Sequence, residues 1–245
     1  MKLLIQRLAL FAAMLMSVLS MSASFEVNGL YYEPTSGKTV KLVQHPDGTN
    51  RYSGNIQIPD KVKCNDRYYI VYEIGDSAFS YCTTLTSVSI PNSVTLIGSG
   101  AFSYCTSLSS ITIPNSVTQI GSGAFSYCTS LSAVTIPNSV TQIGGAFYGC
   151  TALSDIEGIE GVRIIGNDCF RGCSALSTIG IPSGCTSVGS YAFAGTAIKS
   201  ISVPKSVSNI GEGAFSGCKK LSYAELPSGI SSVSGSLFSG CTALT

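Results

Sequence analysis

Apolar and polar positions recur along this chain in one fixed order. Ile97-Gly98-Ser99-Gly100-Ala101-Phe102-Ser103-Tyr104-Cys105-Thr106-Ser107-Leu108-Ser109-Ser110-Ile111-Thr112-Ile113-Pro114-Asn115-Ser116-Val117 is one copy, and Ile120 opens the next. The Ile-Gly step falls at Ile74, Ile97, Ile120, Ile143, Ile165, Val188 and Ile210, and returns as Val-Ser at Val233, so successive copies lie 22 or 23 residues apart. A unit this short cannot bury its own apolar face. It must stack on its neighbours, and the stack is a solenoid.

Within each copy the pattern assigns the elements. Val88-Ser89-Ile90 alternates with period two and predicts a short strand. Val88 and Ile90 point inward with Leu85 behind them, while Ser87 and Ser89 point out. Pro91 ends the strand because it has no N–H to donate. Asn92-Ser93 turns the chain, Val94 and Ile97 return to the core, and Gly98 allows a tight bend. Ser99 to Phe102 is too short for a regular helix and reads as a single helical turn, with Phe102 opposite the strand. The predicted architecture is an α/β repeat solenoid, with a parallel sheet on one face and short helical turns on the other. Two copies depart from the pattern. The fourth lacks one residue before Ala146 and has Gly158-Ile159 in place of Ile-Pro; the sixth is one residue short around Thr196 to Ile198. Each predicts a local kink.

Residues 25–73 form no full copy. Alternation at Phe25 to Tyr32 and at Thr39 to Val43, with Asn28-Gly29 and His45-Pro46-Asp47-Gly48 as turns, predicts a small β-rich cap. Ile56-Gln57-Ile58-Pro59 matches the strand half of a repeat, and an insertion rich in charge and tyrosine separates Val62 from Ile74. Before the cap, Lys2 and Arg7, the apolar run Leu8 to Leu19 and Ser22-Ala23-Ser24 read as a secretory signal over residues 1–24. An uncleaved anchor is the weaker reading, and no later segment is long and apolar enough to span a bilayer. Residues 74–245 hold about seven repeats and a truncated eighth.

Composition narrows the chemistry. Net charge is +1 and charged residues make up 11 %, against about 25 % in an ordinary domain. Residues 77–154 contain no Asp, Glu, Lys, Arg or His. Lys219-Lys220 is too short a basic run for nucleic acid. Seven of the ten cysteines (Cys82, Cys105, Cys128, Cys150, Cys173, Cys218 and Cys241) occupy one repeat position, and Cys169 and Cys185 replace a repeat Ala and Val. They read as a ladder of buried thiols rather than disulfides or zinc ligands. His45, the sole histidine, lies in a turn and leaves no Ser-His-Asp arrangement. Asp155, Glu157 and Glu160 form the one acidic cluster. Such carboxylates can serve as acid and base or take Ca²⁺, but here they read as a solvated patch. Ile-Gly-Ser-Gly-Ala shares only glycines with a phosphate loop. No catalytic, cofactor or metal site is expected.

The quoted unit Ile97 to Val117 resembles the BspA-like leucine-rich repeats, a family of exported and surface proteins of anaerobic bacteria that also occurs in some protozoan parasites. The resemblance runs from about Ile56 to the end. It implies a right-handed leucine-rich horseshoe or rod, used for adhesion and protein binding. Members of the family have been linked to host matrix proteins, host receptors and other bacteria. The family shares no catalytic residues, so none is carried over.

Two surfaces are the candidate contact regions. One is the outward face of the strands: Ser87/Ser89, Ser110/Thr112, Ala133/Thr135, Asp155/Glu157, Thr178/Gly180, Ser200/Ser202 and Tyr223/Glu225. The other is the column Tyr81, Tyr104 and Tyr127, since tyrosine offers large contact area at low entropic cost. The expectation is a secreted or cell-surface, non-enzymatic protein whose partner is a protein or a glycan. Self-association through a C-terminal rung exposing Leu237, Phe238 and Leu244 is the alternative, and a carbohydrate-active enzyme is the weakest reading.

Overall fold

The computed structural model describes residues 24–48, 52–230, 233 and 235–245. All of the expected export signal except Ser24 lies outside these residues, as does Ser234. In chain order the cap and first repeat hold β1 (Phe25–Val27), β2 (Leu30–Pro34), β3 (Thr39–Val43), β4 (Gly54–Gln57), β5 (Lys61–Cys64) and β6 (Arg67–Ile74). The repeats then add β7 (Leu85–Ser89), β8 (Leu96–Ile97), β9 (Ser110–Thr112), β10 (Gln119–Ile120), β11 (Ala133–Thr135), β12 (Gln142–Ile143) and β13 (Asp155–Glu157). They continue with β14 (Ile164–Ile165), β15 (Ser187–Val188), β16 (Ser200–Ser202), β17 (Asn209–Ile210) and β18 (Tyr223–Glu225).

Most rungs carry two strands where the alternation predicted one. The first ladder, β4-β7-β9-β11-β13, is the expected parallel sheet, with Val88 beside Ile111 and Ala133 beside Asp155. Its alternation is as read: Leu85 and Val88 are buried and Ser89 is exposed. The second ladder runs through the Ile-Gly step, β6-β8-β10-β12-β14-β15-β17, and joins the antiparallel cap strands β1-β2-β3 through β6. Two-residue strands are too short to leave a period-two signature, so this ladder does not register as a strand in the pattern.

The expected helical turns are not helices. Among the described residues the one helix is the short 3-10 turn Ile159–Gly161. In the second repeat the amides of Ala101, Ser103 and Cys105 bond locally to the carbonyls of Gly98, Gly100 and Phe102. The amides between them, on Gly100, Phe102 and Tyr104, cross to Ser122, Ala124 and Ser126 of the next rung. A helix would turn every amide inward along its own axis. Here half of them satisfy the neighbouring rung, and left-handed residues at Gly100 (φ 60°) and Tyr104 (φ 59°) keep the chain from coiling.

The glycine of the Ile-Gly step also differs from expectation. It is required by close approach rather than by a bend. The Gly121 amide donates to the Ile97 carbonyl at 2.8 Å, and a Cβ on Gly121 would stand 2.4 Å from the Ser99 nitrogen.

The core is a stack of identical side chains. Phe79, Phe102, Phe125, Phe147, Phe170, Phe193 and Phe215 are fully buried, with neighbouring centroids 5.0 to 5.8 Å apart. Tyr52 closes the N-terminal end against Phe79 at 5.1 Å. Its hydroxyl donates to the Val43 carbonyl and accepts from the Tyr31 amide. The first sheet breaks after β13, and Thr178–Gly180 is not a strand as the repeat predicted. Gly158 (φ 71°) and the 3-10 turn replace the Ile-Pro step just before the break, and Gly180 brings no side chain to hold the next rung.

Candidate functional site

Tyr81, Tyr104 and Tyr127 come together as the sequence suggests. Their rings stack, with centroids 4.6 and 4.5 Å apart and planes within 4° and 17°. Tyr81 is 46 % exposed at the open end of the stack, and the other two are half-buried. All three have left-handed backbones, φ 60°, 59° and 59°. In the later rungs the same position is Gly149, Gly172, Gly195, Gly217 and Gly240, with φ between 70° and 76°. A left-handed tyrosine costs about 1–2 kcal/mol that glycine avoids. A stacked aromatic pair returns about 0.5–1.5 kcal/mol, so two pairs do not fully offset three such residues.

The column extends beyond the residues the repeat position selects. Tyr148 meets the edge of Tyr127 at 4.9 Å. A hydrogen bond to Tyr148 pushes the Tyr127 phenol up to about 12. The Arg171 guanidinium then lies over Tyr148 at 5.7 Å and over Tyr191 at 5.1 Å, while its Nη1 holds Asp168 at 3.0 Å. Tyr148 and Tyr191 sit one and four residues before the repeat tyrosine position, so counting by period misses them. Aromatic residues anywhere in the turn segment would have been the usable signal.

The sheet face is hydroxyl-rich and carries little charge through its first rungs. Ser89, Ser110, Thr112 and Thr135 are exposed, Ser87 is half-buried, and Asp155 and Glu157 close this stretch as exposed carboxylates. Ser87 donates to Asn55 Oδ1 at 2.8 Å, so the row begins in the cap. Tyr223 and Glu225 lie on the separate pair β16-β18, where Glu225 accepts from Ser202 at 2.8 Å. The break at Thr178–Gly180 divides the predicted face in two.

The thiols point inward as read, and they do more than fill space. Cys105, Cys128, Cys150, Cys173, Cys218 and Cys241 each donate to the carbonyl of the phenylalanine one rung earlier, at 3.0 to 3.2 Å. Burial raises the Cys150 thiol to about 12 and holds Cys128 and Cys169 well above the usual thiol range. None of the ten cysteines is joined in a disulfide. Among the described residues no group of three or more His, Cys, Asp or Glu side chains is placed to hold a metal ion. No helix among them is long and apolar enough to cross a membrane.

The fold is similar to those of known proteins. A leucine rich cell surface protein from Faecalibacterium prausnitzii A2-165 is similar, with 26 % identity and a TM-score of 0.51 over 91 % of this chain and 81 % of that one. The Leucine Rich Repeat protein of T. pallidum is similar at 25 % identity and a TM-score of 0.60, over 91 % of each chain. A search of curated proteins finds no match to this sequence. The family described as "BspA type Leucine rich repeat region", in six copies, matches residues 55–160 and 145–245. The match covers most of the repeats, and the chain belongs to the BspA-type leucine-rich repeat family.

Proposed function

We propose that this chain is an exported, non-enzymatic solenoid that binds a protein or a glycan at a cell surface. Its contacts are the tyrosine column and the hydroxyl face of the first sheet. The reading is carried by one observation: three tyrosines keep a left-handed backbone where the other rungs use glycine. Strain that the fold does not need concentrates at ligand sites. A partly exposed stack of phenols continuing to an arginine also has the composition of a contact hot spot. The hydroxyl face adds hydrogen-bonding groups with no buried charge to compensate. A surface role accords with the family, and with the description of the F. prausnitzii relative as a cell surface protein.

The test replaces Tyr81, Tyr104 and Tyr127 together by glycine, the residue that later rungs carry there. The triple variant should melt at or near the parent temperature. Its adhesion to immobilised matrix proteins and to a glycan array should fall at least about tenfold, the scale of a lost hot spot. Unchanged adhesion removes the column from the reading, and turnover in a broad glycosidase screen removes its non-enzymatic part.

A further inference from the structure

We propose a second binding site, outside the repeats, in which the β5–β6 hairpin and the Gly37–Lys38 turn form a cleft for a carboxylate-bearing saccharide. It goes beyond the reading above and shares no residue with it. The cleft follows from strand register. β3 pairs with β6 only from Ile70 onward, where Thr39 is its partner. The stretch Arg67 to Tyr69 therefore has β5 on one edge and no strand on the other. The chain turns away at Gly37 (φ 69°). The hollow left there has a volume of about 810 Å³ and is lined by Lys38, Lys61, Asp66, Arg67, Tyr68 and Ile70, among others, so three cations face one carboxylate.

Its chemistry is mixed in a particular way. Tyr68 is 64 % and Ile70 43 % exposed, among the largest apolar exposures of the described residues. Lys63 holds Asp66 at 2.9 Å and lies 6.0 Å above one side of the Tyr68 ring, which leaves the other side of the ring for a ligand. Lys38, Lys61 and Arg67 form no ion pair among the described residues. Lysines beside a free strand edge serve to repel stray strands, but that role gives no reason to expose a tyrosine and an isoleucine among them. A ligand that uses everything present needs an apolar face for Tyr68 and Ile70 and an anion for the cations. A pyranose ring with a carboxylate has both: its C–H face lies on the phenol ring, and its carboxylate fits the guanidinium fork. A bare phosphate or sulfate leaves the apolar wall unused, and a neutral sugar leaves the cations unused. The volume falls in the range of roughly 300–1,000 Å³ typical of small-ligand sites. That favours a short saccharide over an acidic protein, which would need a broad flat interface.

Calorimetric titration of the full chain with a galacturonic acid tetramer tests the site. The neutral galactose tetramer, a tetraglutamate peptide and sodium sulfate are the comparison ligands. The uronate should bind with a Kd below about 1 mM and weaken as salt rises, since exposed cations are screened. Arg67→Gln and Tyr68→Ser should each lower affinity about tenfold, the scale of a lost charge-assisted contact. Both residues are exposed, and an unchanged melting temperature in each variant verifies folding. Lys219→Gln, the same charge change on a distant rung, should leave binding intact. The proposal is overturned if the uronate gives no binding heat at millimolar concentration or Arg67→Gln binds as tightly as the parent. Equal binding of the neutral tetramer, of sulfate or of the glutamate peptide also overturns it.

Discussion

The Tyr127 ring rests on the backbone of Gly149: a Cβ added there would stand 2.7 Å from Cδ1 and 2.9 Å from Cε1 of the ring. Tyr191 covers Gly213 in the same manner, with Cε1 2.5 Å from the corresponding point. An aromatic residue with a left-handed backbone thus roofs the left-handed glycine of the following rung. Gly149→Ala should displace the ring and also place a side chain at φ 71°. Gly172→Ala meets only the second penalty, because its nearest neighbour would be 3.7 Å away at φ 75°. The expected cost is about 1–2 kcal/mol for Gly172→Ala and about 1 kcal/mol more for Gly149→Ala. Urea unfolding of the two variants measures the difference, and equal values mean that the ring contact contributes nothing.

The ladder thiols should be inert in the folded protein and should make it sensitive to alkali. Burial raises Cys150 to about 12, whereas an unfolded thiol titrates near 8.5. The folded state therefore holds its proton where the unfolded state has lost it. This contribution to stability is fully present below about pH 8.5 and is lost as pH rises toward 12. The slope is at most about 1.4 kcal/mol per pH unit for each such thiol. Denaturant midpoints measured from pH 7 to 11 should fall once pH passes 8.5. Cys105, Cys128 and Cys150 should also resist a bulky disulfide reagent until urea is added. Fast labelling of the native protein would place those sulfurs outside and undo the register of every rung.

Tyr52 stops the phenylalanine spine, and its removal should be felt from that end. Tyr52→Ala uncovers Phe79 and leaves the Val43 carbonyl and Tyr31 amide without their phenol partner. A large aromatic truncation in a core costs about 3–5 kcal/mol. Stability in a solenoid is a sum over neighbouring rungs, so the loss should concentrate in the first of them. Hydrogen exchange should speed up at Phe79 and Val88 and change little at Phe193. A uniform acceleration along the chain would show that the rungs unfold as one unit instead.

Much of this was readable in the sequence because stacking forces every rung to repeat its inward residues. Phe102, Leu108, Val117 and Cys105 could be placed in the core from period alone. What period could not show is what lies between rungs. The second strand ladder rests on two-residue segments such as Gln119–Ile120, whose hydrogen bonds join residues 22 or 23 apart and leave no local pattern. The same holds for the thiol bonds: the cysteine column was visible, but the carbonyl that each sulfur reaches belongs to the preceding rung. At the candidate site the three stacked tyrosines share a repeat position and stood out. Tyr148 and Arg171 join the column from the position just before Gly149 and Gly172, which the fourth repeat's missing residue leaves in register with Phe147 and Cys150.

That missing residue separates two glycines that the motif treats as equivalent. Gly121 and Gly144 both follow the isoleucine of the Ile-Gly step. A Cβ on Gly121 would stand 2.4 Å from the Ser99 nitrogen and 2.6 Å from the Gly98 carbonyl carbon, both backbone atoms of the adjoining rung. At Gly144 the same addition meets nothing within 4 Å. Backbone held by two hydrogen-bonded ladders cannot yield by the ångström that Gly121→Ala would demand without parting the rungs. The expected cost is about 3 kcal/mol or more, the upper range for overpacking. Gly144→Ala should fall within about 0.5 kcal/mol of the parent or stabilise slightly by restricting the unfolded chain. Thermal melts of the two single variants decide it: a large gap between them shows that inter-rung contact selects the repeat glycine, and similar melting points assign that selection to the turn itself.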